Sequence, residues 1–197
     1  MTLALFDLDN TLLAGDSDHA FGEYLCQQGL VDSTAFKTAN DGFYQDYQAG
    51  TLDIAAYIRF ALAPIVAMSA EKRHQVREQF VAQIVEPMIL KKGLDLLDQH
   101  RQQGQTLVIS TATNRVVTEP IAQRLGVQHL IATEPEIING EYTGNHAGTP
   151  CFQEGKITRL KQWLENREET LEGAYFYSDS ANDIPLLEVA SHPVAVD

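Results

Sequence analysis

Beyond Pro87 the chain changes period in a regular way, and that rhythm narrows what it can fold into more than any other feature. A helical pattern over about 88–103 stops at Gly104, and "TLVIS" at 106–110 is an apolar, β-prone run. A second helical stretch at about 114–125, closed by Gly126, leads into the short strand "HLIAT". In "EIINGEYTG" the pair Asn139-Gly140 lies between β-prone runs, the signal of a tight hairpin. The amphipathic "GKITRLKQWLEN", the strand "AYFYS", the helix "NDIPLLEVA" and a last strand "HPVAV" complete the series. Strands that alternate with helices of about ten residues or more imply a parallel sheet covered on both faces.

The N-terminal half behaves differently. Residues 2–6 read as one short buried strand, and from Ser17 to about Glu86 the pattern is helical throughout. Apolar residues recur at three- and four-residue spacing through Ala20, Phe21, Tyr24 and Leu25, then Phe36, Phe43, Tyr44 and Tyr47, then Ile54, Tyr57, Ile58 and Ala61. Gly29, Asp41-Gly42, Gly50 and Pro64 divide the stretch into three or four helices. The expected architecture is α/β: a Rossmann-like parallel core from residues 1–15 and 87–197, with an all-helical cap, residues 16–86, inserted after the first strand.

Composition removes several function classes. Fourteen Lys+Arg against 27 Asp+Glu give a net charge of −13, with no basic run to follow a nucleic-acid backbone or an anionic membrane. No stretch of about eighteen apolar residues predicts a membrane span. Asp7 arrives before any apolar segment long enough for a signal peptide, so a cytoplasmic protein is expected. Cys26 and Cys151 lack metal-site spacing and are expected as reduced thiols. His19, His74 and His129 form no visible cluster and are expected at the surface or in packing.

In open parallel sheets ligands bind beyond the carboxyl ends of the strands. Asp7 and Asp9 of "FDLDNTLL" follow the first strand, Ser110 and Thr111 follow the second, and Ser178, Asp179 and Asp183 follow "AYFYS". Carboxylates gathered at one rim repel, at a cost on the order of 4 kcal/mol for two charges 4 Å apart at an effective dielectric of 20. Such a cluster calls for a cation, and all-oxygen donors point to Mg²⁺. An ionised Asp7 can attack phosphorus without an assisting base. Asp9, one side-chain repeat further on, can protonate a leaving alkoxide and later deprotonate water. Each residue also has a local alternative: Asp7-Leu8-Asp9-Asn10 as an Asx turn or helix cap, Asp183 as a favourable charge at a helix start, Thr111 as an N-cap, Lys156 as a solvated helix residue.

The four segments "FDLDNTLL", "VISTATN", "EGKITRL" and "YSDSANDIPLL" resemble, in order, the four motifs of the haloacid dehalogenase-like phosphatases. The match looks like their phosphoserine-phosphatase-like branch, which carries a helical cap between the first two motifs. The resemblance implies Asp7 as nucleophile, Asp9 as acid and base, and Mg²⁺ held by Asp7, the Asp9 carbonyl and Asp179, with Asp183 orienting bound water. It also implies phosphate contacts from Thr111 (over its neighbour Ser110), Lys156 and Asn182. Asp9 argues against dehalogenation, because halide leaves without a proton. A phosphomutase uses the same aspartate pair but matches this branch less well. The branch usually continues past such a last strand into a loop and short helix.

Substrate choice is expected to lie in the cap. Between Ala14 and Phe60 seven acids, Asp16 among them, face only Lys37 and Arg59. In phosphoserine phosphatases the acid that binds the substrate amine lies nine residues after the nucleophile, which here is Asp16. Their carboxylate-binding arginine aligns with Ala61, and Arg59 lies two residues earlier, on another helix face. The expectation is a small phosphorylated metabolite of the amino-alcohol phosphate class, such as histidinol phosphate. Phosphoserine, or a non-catalytic phospholigand-binding role on the same fold, is the alternative.

Overall fold

In the computed structural model, which describes residues 2–196, six strands form one sheet in the order β4-β3-β2-β1-β5-β6. β1 (Thr2–Phe6) lies near the middle, parallel to β2 (Thr106–Asn114) and β5 (Thr170–Ser178). β3 (His129–Ile138) and β6 (His192–Ala195) extend the parallel sheet on either side. Only β4 (Glu141–Ala147) runs antiparallel, as the return of the Asn139-Gly140 hairpin. Asn139 and Gly140 both take positive φ, 54° and 84°, as a tight turn with the strands' own twist requires.

Period-two alternation sorts the strand residues onto two faces. Ala4, Phe6, Leu107, Ile109 and Tyr177 pack on one side with α6 (Lys91–Gln102) and α7 (Arg115–Arg124). Leu3, Leu5, Val108, Ala174 and Phe176 pack on the other with α8 (Glu154–Leu164) and α9 (Ile184–Val189). Covering both faces explains why the central strand is an uninterrupted apolar run.

The helical insert after β1 comprises α1 (Ser17–Gln27), α2 (Ser33–Ala49), α3 (Ile54–Ala67) and α4 (Ala70–Phe80). Asp16, Asp32, Asp53 and Ser69 cap these helices through their own side chains. Alpha-helical geometry then gives way to a π-helical turn, Val81–Val85, before the short α5 (Glu86–Met88). The segments entering and leaving the insert pair with each other. Leu13 bridges Ile89, and the Ala14 amide donates to the Met88 carbonyl at 2.7 Å. Residues 88–90 are thus spent on pairing, which is why α6 starts at Lys91 rather than near 88. The β3–β4 hairpin also reaches the insert: β4 packs on α3, and the Arg73 guanidinium lies 4.9 Å over the Tyr142 ring. Among the described residues no single helix is long and apolar enough to cross a membrane. The expected continuation past the last strand lies outside the described residues.

Candidate active site

Three strand ends meet at one rim. The Asp7 amide donates to the Tyr177 carbonyl at 2.9 Å, so the β1–β5 pairing extends one residue beyond Phe6 before the chain turns. The turn is tight: the amides of Thr11, Leu12 and Leu13 all point at the Leu8 carbonyl, and Asn10 sits at φ 55°. Asparagine is among the few non-glycine residues that take this left-handed conformation readily. The polar Asn10-Thr11 after the strand therefore has a structural use. Thr11 also accepts from the Asp179 amide at 3.2 Å and donates to its carboxylate at 3.1 Å, tying the first loop to the last motif.

Lys156 lies 2% exposed between two carboxylates, donating to Asp7 Oδ1 at 2.8 Å and to Asp183 Oδ2 at 2.6 Å. Its ammonium is no solvated helix charge. Burial disfavours the cation, but the two carboxylates outweigh that and hold its pKa above the ordinary lysine value. Ser178 Oγ donates to the same Asp183 oxygen at 2.7 Å, so Asp183 serves the site and makes no side-chain cap on α9. Burial pushes the Asp7 carboxyl well above the ordinary range. Lys156 pulls it down, while Asp183 and Asp9 push it further up. One ammonium therefore faces more negative charge than it can offset.

Asp9 is only half-buried, yet its carboxyl is pushed up to about 7, mainly by desolvation and then by Asp16. Its two oxygens are spoken for: the Ser17 amide donates to Oδ1 at 2.7 Å and Thr113 Oγ1 donates to Oδ2 at 3.0 Å. The helix-capping alternative is thus partly realised at Asp9, because Ser17 opens α1. Thr111 lines the cavity, whereas fully buried Ser110 turns to Cys151 Sγ at 3.9 Å. The N-cap of α7 is Asn114, which leaves the Thr111 hydroxyl free of that duty.

Between the sheet rim and the insert lies a cavity. Asp7, Asp9, Thr111 and Thr113 form its floor; Asp16, Asp18, Asn40 and the rings of Phe43, Tyr44, Tyr47, Tyr57 and Phe152 form its walls and roof. No lysine or arginine is among its lining residues, and Arg59 is exposed elsewhere. Asp16 both caps α1, accepting from the His19 amide at 2.8 Å, and faces the cavity, where burial pushes it up to about 6. Of the other predicted residues, Asn182 does not line the cavity; its Oδ1 accepts from Gln153 Nε2 at 3.2 Å. His19, expected among surface or packing residues, lines the cavity and pairs with Asp41 at 2.9 Å.

Sequence reasoning counted Asp18 only as one of the seven acids of the insert, and passed over Thr113 and Tyr57 as site residues. Thr113 lay beyond the expected strand end at 110; β2 in fact runs to Asn114, where it pairs with Thr133. Asp18 and Tyr57 sit in amphipathic patterns, where only the way the helices of the insert pack together distinguishes a cavity residue from a packed one.

The donor set suits a hard divalent cation. The available groups are carboxylate and carbonyl oxygens, and the charge excess around Lys156 is negative. Among the described residues no three His, Cys, Asp or Glu side chains converge into a closed cage. An octahedral ion that keeps several waters needs only one or two carboxylates, so the arrangement fits such an ion and not a closed all-protein site.

The family model for haloacid dehalogenase-like hydrolases matches residues 4–188. The chain is similar to the histidinol-phosphatase of Neisseria meningitidis serogroup C, at 45% identity over 99% of this chain and 90% of that protein. Among solved structures it is similar to a protein of unknown function from Bordetella pertussis Tohama I. That structure superposes with a TM-score of 0.92 at 40% identity, covering 99% of this chain and 90% of the other. A phosphoserine phosphatase captured as a phospho-aspartyl intermediate analogue shares the fold, with a TM-score of 0.69 at 16% identity over 96% and 83% of the two chains.

Proposed function

The chain belongs to the haloacid dehalogenase-like hydrolase family, as a phosphatase of its phosphoserine-phosphatase-like branch, and from that premise we propose that it hydrolyses histidinol phosphate. In this reading residues 16–86 are the cap and residues 1–15 with 87–197 the core. The observation that carries the substrate is the cavity wall: Asp16 and Asp18 with aromatic rings, and no lysine or arginine. An ammonium is attracted by such a wall and a substrate carboxylate is repelled by it.

Asp7 is the nucleophile. Its free oxygen attacks phosphorus, the bond from phosphorus to the alcohol oxygen breaks, and an aspartyl-phosphate forms. Asp9, pushed up to about 7, is near half protonation at neutral pH and gives its proton to the departing alkoxide. The resulting carboxylate takes a proton from water as that water attacks phosphorus, and phosphate leaves with the Asp7 carboxylate restored. Thr113 holds the Asp9 carboxyl through its 3.0 Å bond. The Thr111 hydroxyl and the Lys156 ammonium serve the phosphoryl oxygens, and Asn182 contributes from the rim. Asp7, the Asp9 carbonyl and Asp179 would hold Mg²⁺, with Asp183 orienting bound water. Such an ion, when bound, would supply the positive charge that keeps Asp7 ionised and would relieve repulsion between the site and a phosphate dianion.

The test is steady-state hydrolysis of histidinol phosphate, phosphoserine and p-nitrophenyl phosphate with Mg²⁺ present. Histidinol phosphate is expected to exceed phosphoserine in kcat/KM by tenfold or more. A preference for phosphoserine would overturn the substrate, and no turnover of any phosphomonoester would leave a phospholigand-binding role.

A further inference from the structure

Asp18 is a buried carboxylate that the mechanism above does not use. It is 7% exposed, lines the cavity, and among the described residues has no lysine, arginine or histidine partner. What it has are neutral donors: the Tyr57 hydroxyl and Asn114 Nδ2, the latter at 3.4 Å from Oδ1. A buried anion held only by neutral groups is costly to keep. Its surroundings are apolar on the far side, where Phe21, Leu25, Phe36 and Phe60 line a small space behind Asp18, Asn40 and Tyr57.

The neighbouring side chains are set with little freedom. Asn40, 3% exposed, donates from Nδ2 to the His19 carbonyl at 3.0 Å and also lines the cavity. It lies flat against Gly22, where any Cβ would come within 2.6 Å of the amide nitrogen. Position 22 therefore admits no side chain without displacing Asn40. The Tyr57 ring belongs to the aromatic wall, with its hydroxyl on the Asp18 side of the cavity.

We propose that Asp18, oriented by Tyr57 and Asn114, is a specificity-determining residue that accepts a hydrogen bond from a nitrogen heterocycle of the leaving alcohol, the imidazole ring in histidinol. The proposal rests on the amino-alcohol phosphate reading, in which Asp16 takes the ammonium. Two carboxylates on the first turn of α1 then meet two N–H-bearing groups on one small molecule. The aromatic wall accommodates the flat ring between them, and rings favour offset or edge-on contacts of this kind. A phosphorylated amino alcohol without the ring would leave Asp18 and Asn40 facing an unfilled space.

The test compares histidinol phosphate with 2-aminoethyl phosphate, which has the ammonium and no ring, in the wild type, Asp18→Asn and Tyr57→Phe. Wild type is expected to favour the ring-bearing substrate, mostly through KM. In Asp18→Asn the ratio of the two kcat/KM values should fall about 10- to 100-fold, the range for loss of one charge-assisted hydrogen bond. Inhibition by histidinol should weaken in parallel. Tyr57→Phe keeps the wall and loses the orienting hydroxyl, so its ratio should fall less; it also serves if Asp18→Asn does not fold. An unchanged ratio in the variants, with only the melting temperature moved, would assign Asp18 a structural role and overturn the proposal. A wild type that prefers neither amino-alcohol phosphate over phosphoserine would overturn the underlying reading instead.

Discussion

Replacing Lys156 by Met removes the only ammonium between Asp7 and Asp183 and nearly preserves the volume of the side chain. Both ion pairs are short, 2.8 and 2.6 Å, and all three groups are at most 7% exposed as side chains. Removing one partner of such a buried arrangement costs about 3–5 kcal/mol. For a domain of this size about 1 kcal/mol moves Tm by roughly 2–4 °C, so a fall of about 6–20 °C is expected. The pH dependence distinguishes this cause from lost packing. Burial already raises the Asp7 carboxyl in the wild type, and losing Lys156 raises it further, so the folded variant keeps that proton to higher pH than the wild type does and loses more stability as pH rises. Lys156, whose folded pKa lies above its unfolded value, gives the wild type its full contribution throughout the acid and neutral range. The gap in stability should therefore widen by up to about 2.7 kcal/mol between pH 5.5 and 7.5, at roughly 1.4 kcal/mol per proton per pH unit. Calorimetric melts of both proteins at the two pH values, with chelator present, measure it. A gap that is the same at both pH values, or under about 3 °C, refutes the charge argument.

Thr113→Val removes the donor to Asp9 Oδ2 and should lower kcat about tenfold, moving the acid limb of the kcat profile to higher pH because that bond favours the ionised carboxyl. The preference for 2-aminoethyl phosphate over propyl phosphate should fall as pH drops through 7 and 6, where Asp18 and Asp16 become protonated; both substrates leave as alkoxides and draw alike on Asp9, so their kcat/KM ratio reads the wall. A flat ratio between pH 5.5 and 8 would count against an anionic wall. Asp16→Asn combined with Asp18→Asn should lower the ratio of kcat/KM for histidinol phosphate to that for phosphoserine, because both lose the ammonium partner and only phosphoserine is relieved of carboxylate repulsion; the same steady-state assay reads it.

Much of the rim was legible in the sequence because its residues are placed by local rules. A strand end determines where the next side chain points, so Asp7, Asp9, Thr111 and Asp179 could be assigned to one rim once the strand–helix alternation was seen. Lys156 required the motif order, because nothing within "EGKITRL" distinguishes a buried lysine from a solvated one. Its burial comes from Asp7 and Asp183, far away in the chain. The wall was less legible. Asp18 reads as one of seven acids in the insert, and Tyr57 as one member of an apolar stripe. Their meeting depends on how the helices of the insert pack together, which no local pattern encodes. The π-helical turn at Val81–Val85 has no sequence signature either, since its residues are ordinary helix and core formers.

The arrangement as a whole separates charge along the cavity. At the floor, carboxylates outnumber the single ammonium, so a phosphate end would need added positive charge. At the wall, Asp16 and Asp18 face a low-dielectric space with no lysine or arginine among the lining residues. A substrate carboxylate placed about 4 Å from one of them would lose on the order of 4 kcal/mol at an effective dielectric of 20, close to a thousandfold in kcat/KM. An ammonium at the same place gains a comparable amount before its own desolvation is counted. Contact area changes little between an amino acid and the corresponding amino alcohol. Discrimination between them therefore comes from repulsion of the extra carboxylate more than from any added contact, and repulsion of the wrong partner is an efficient way to build specificity.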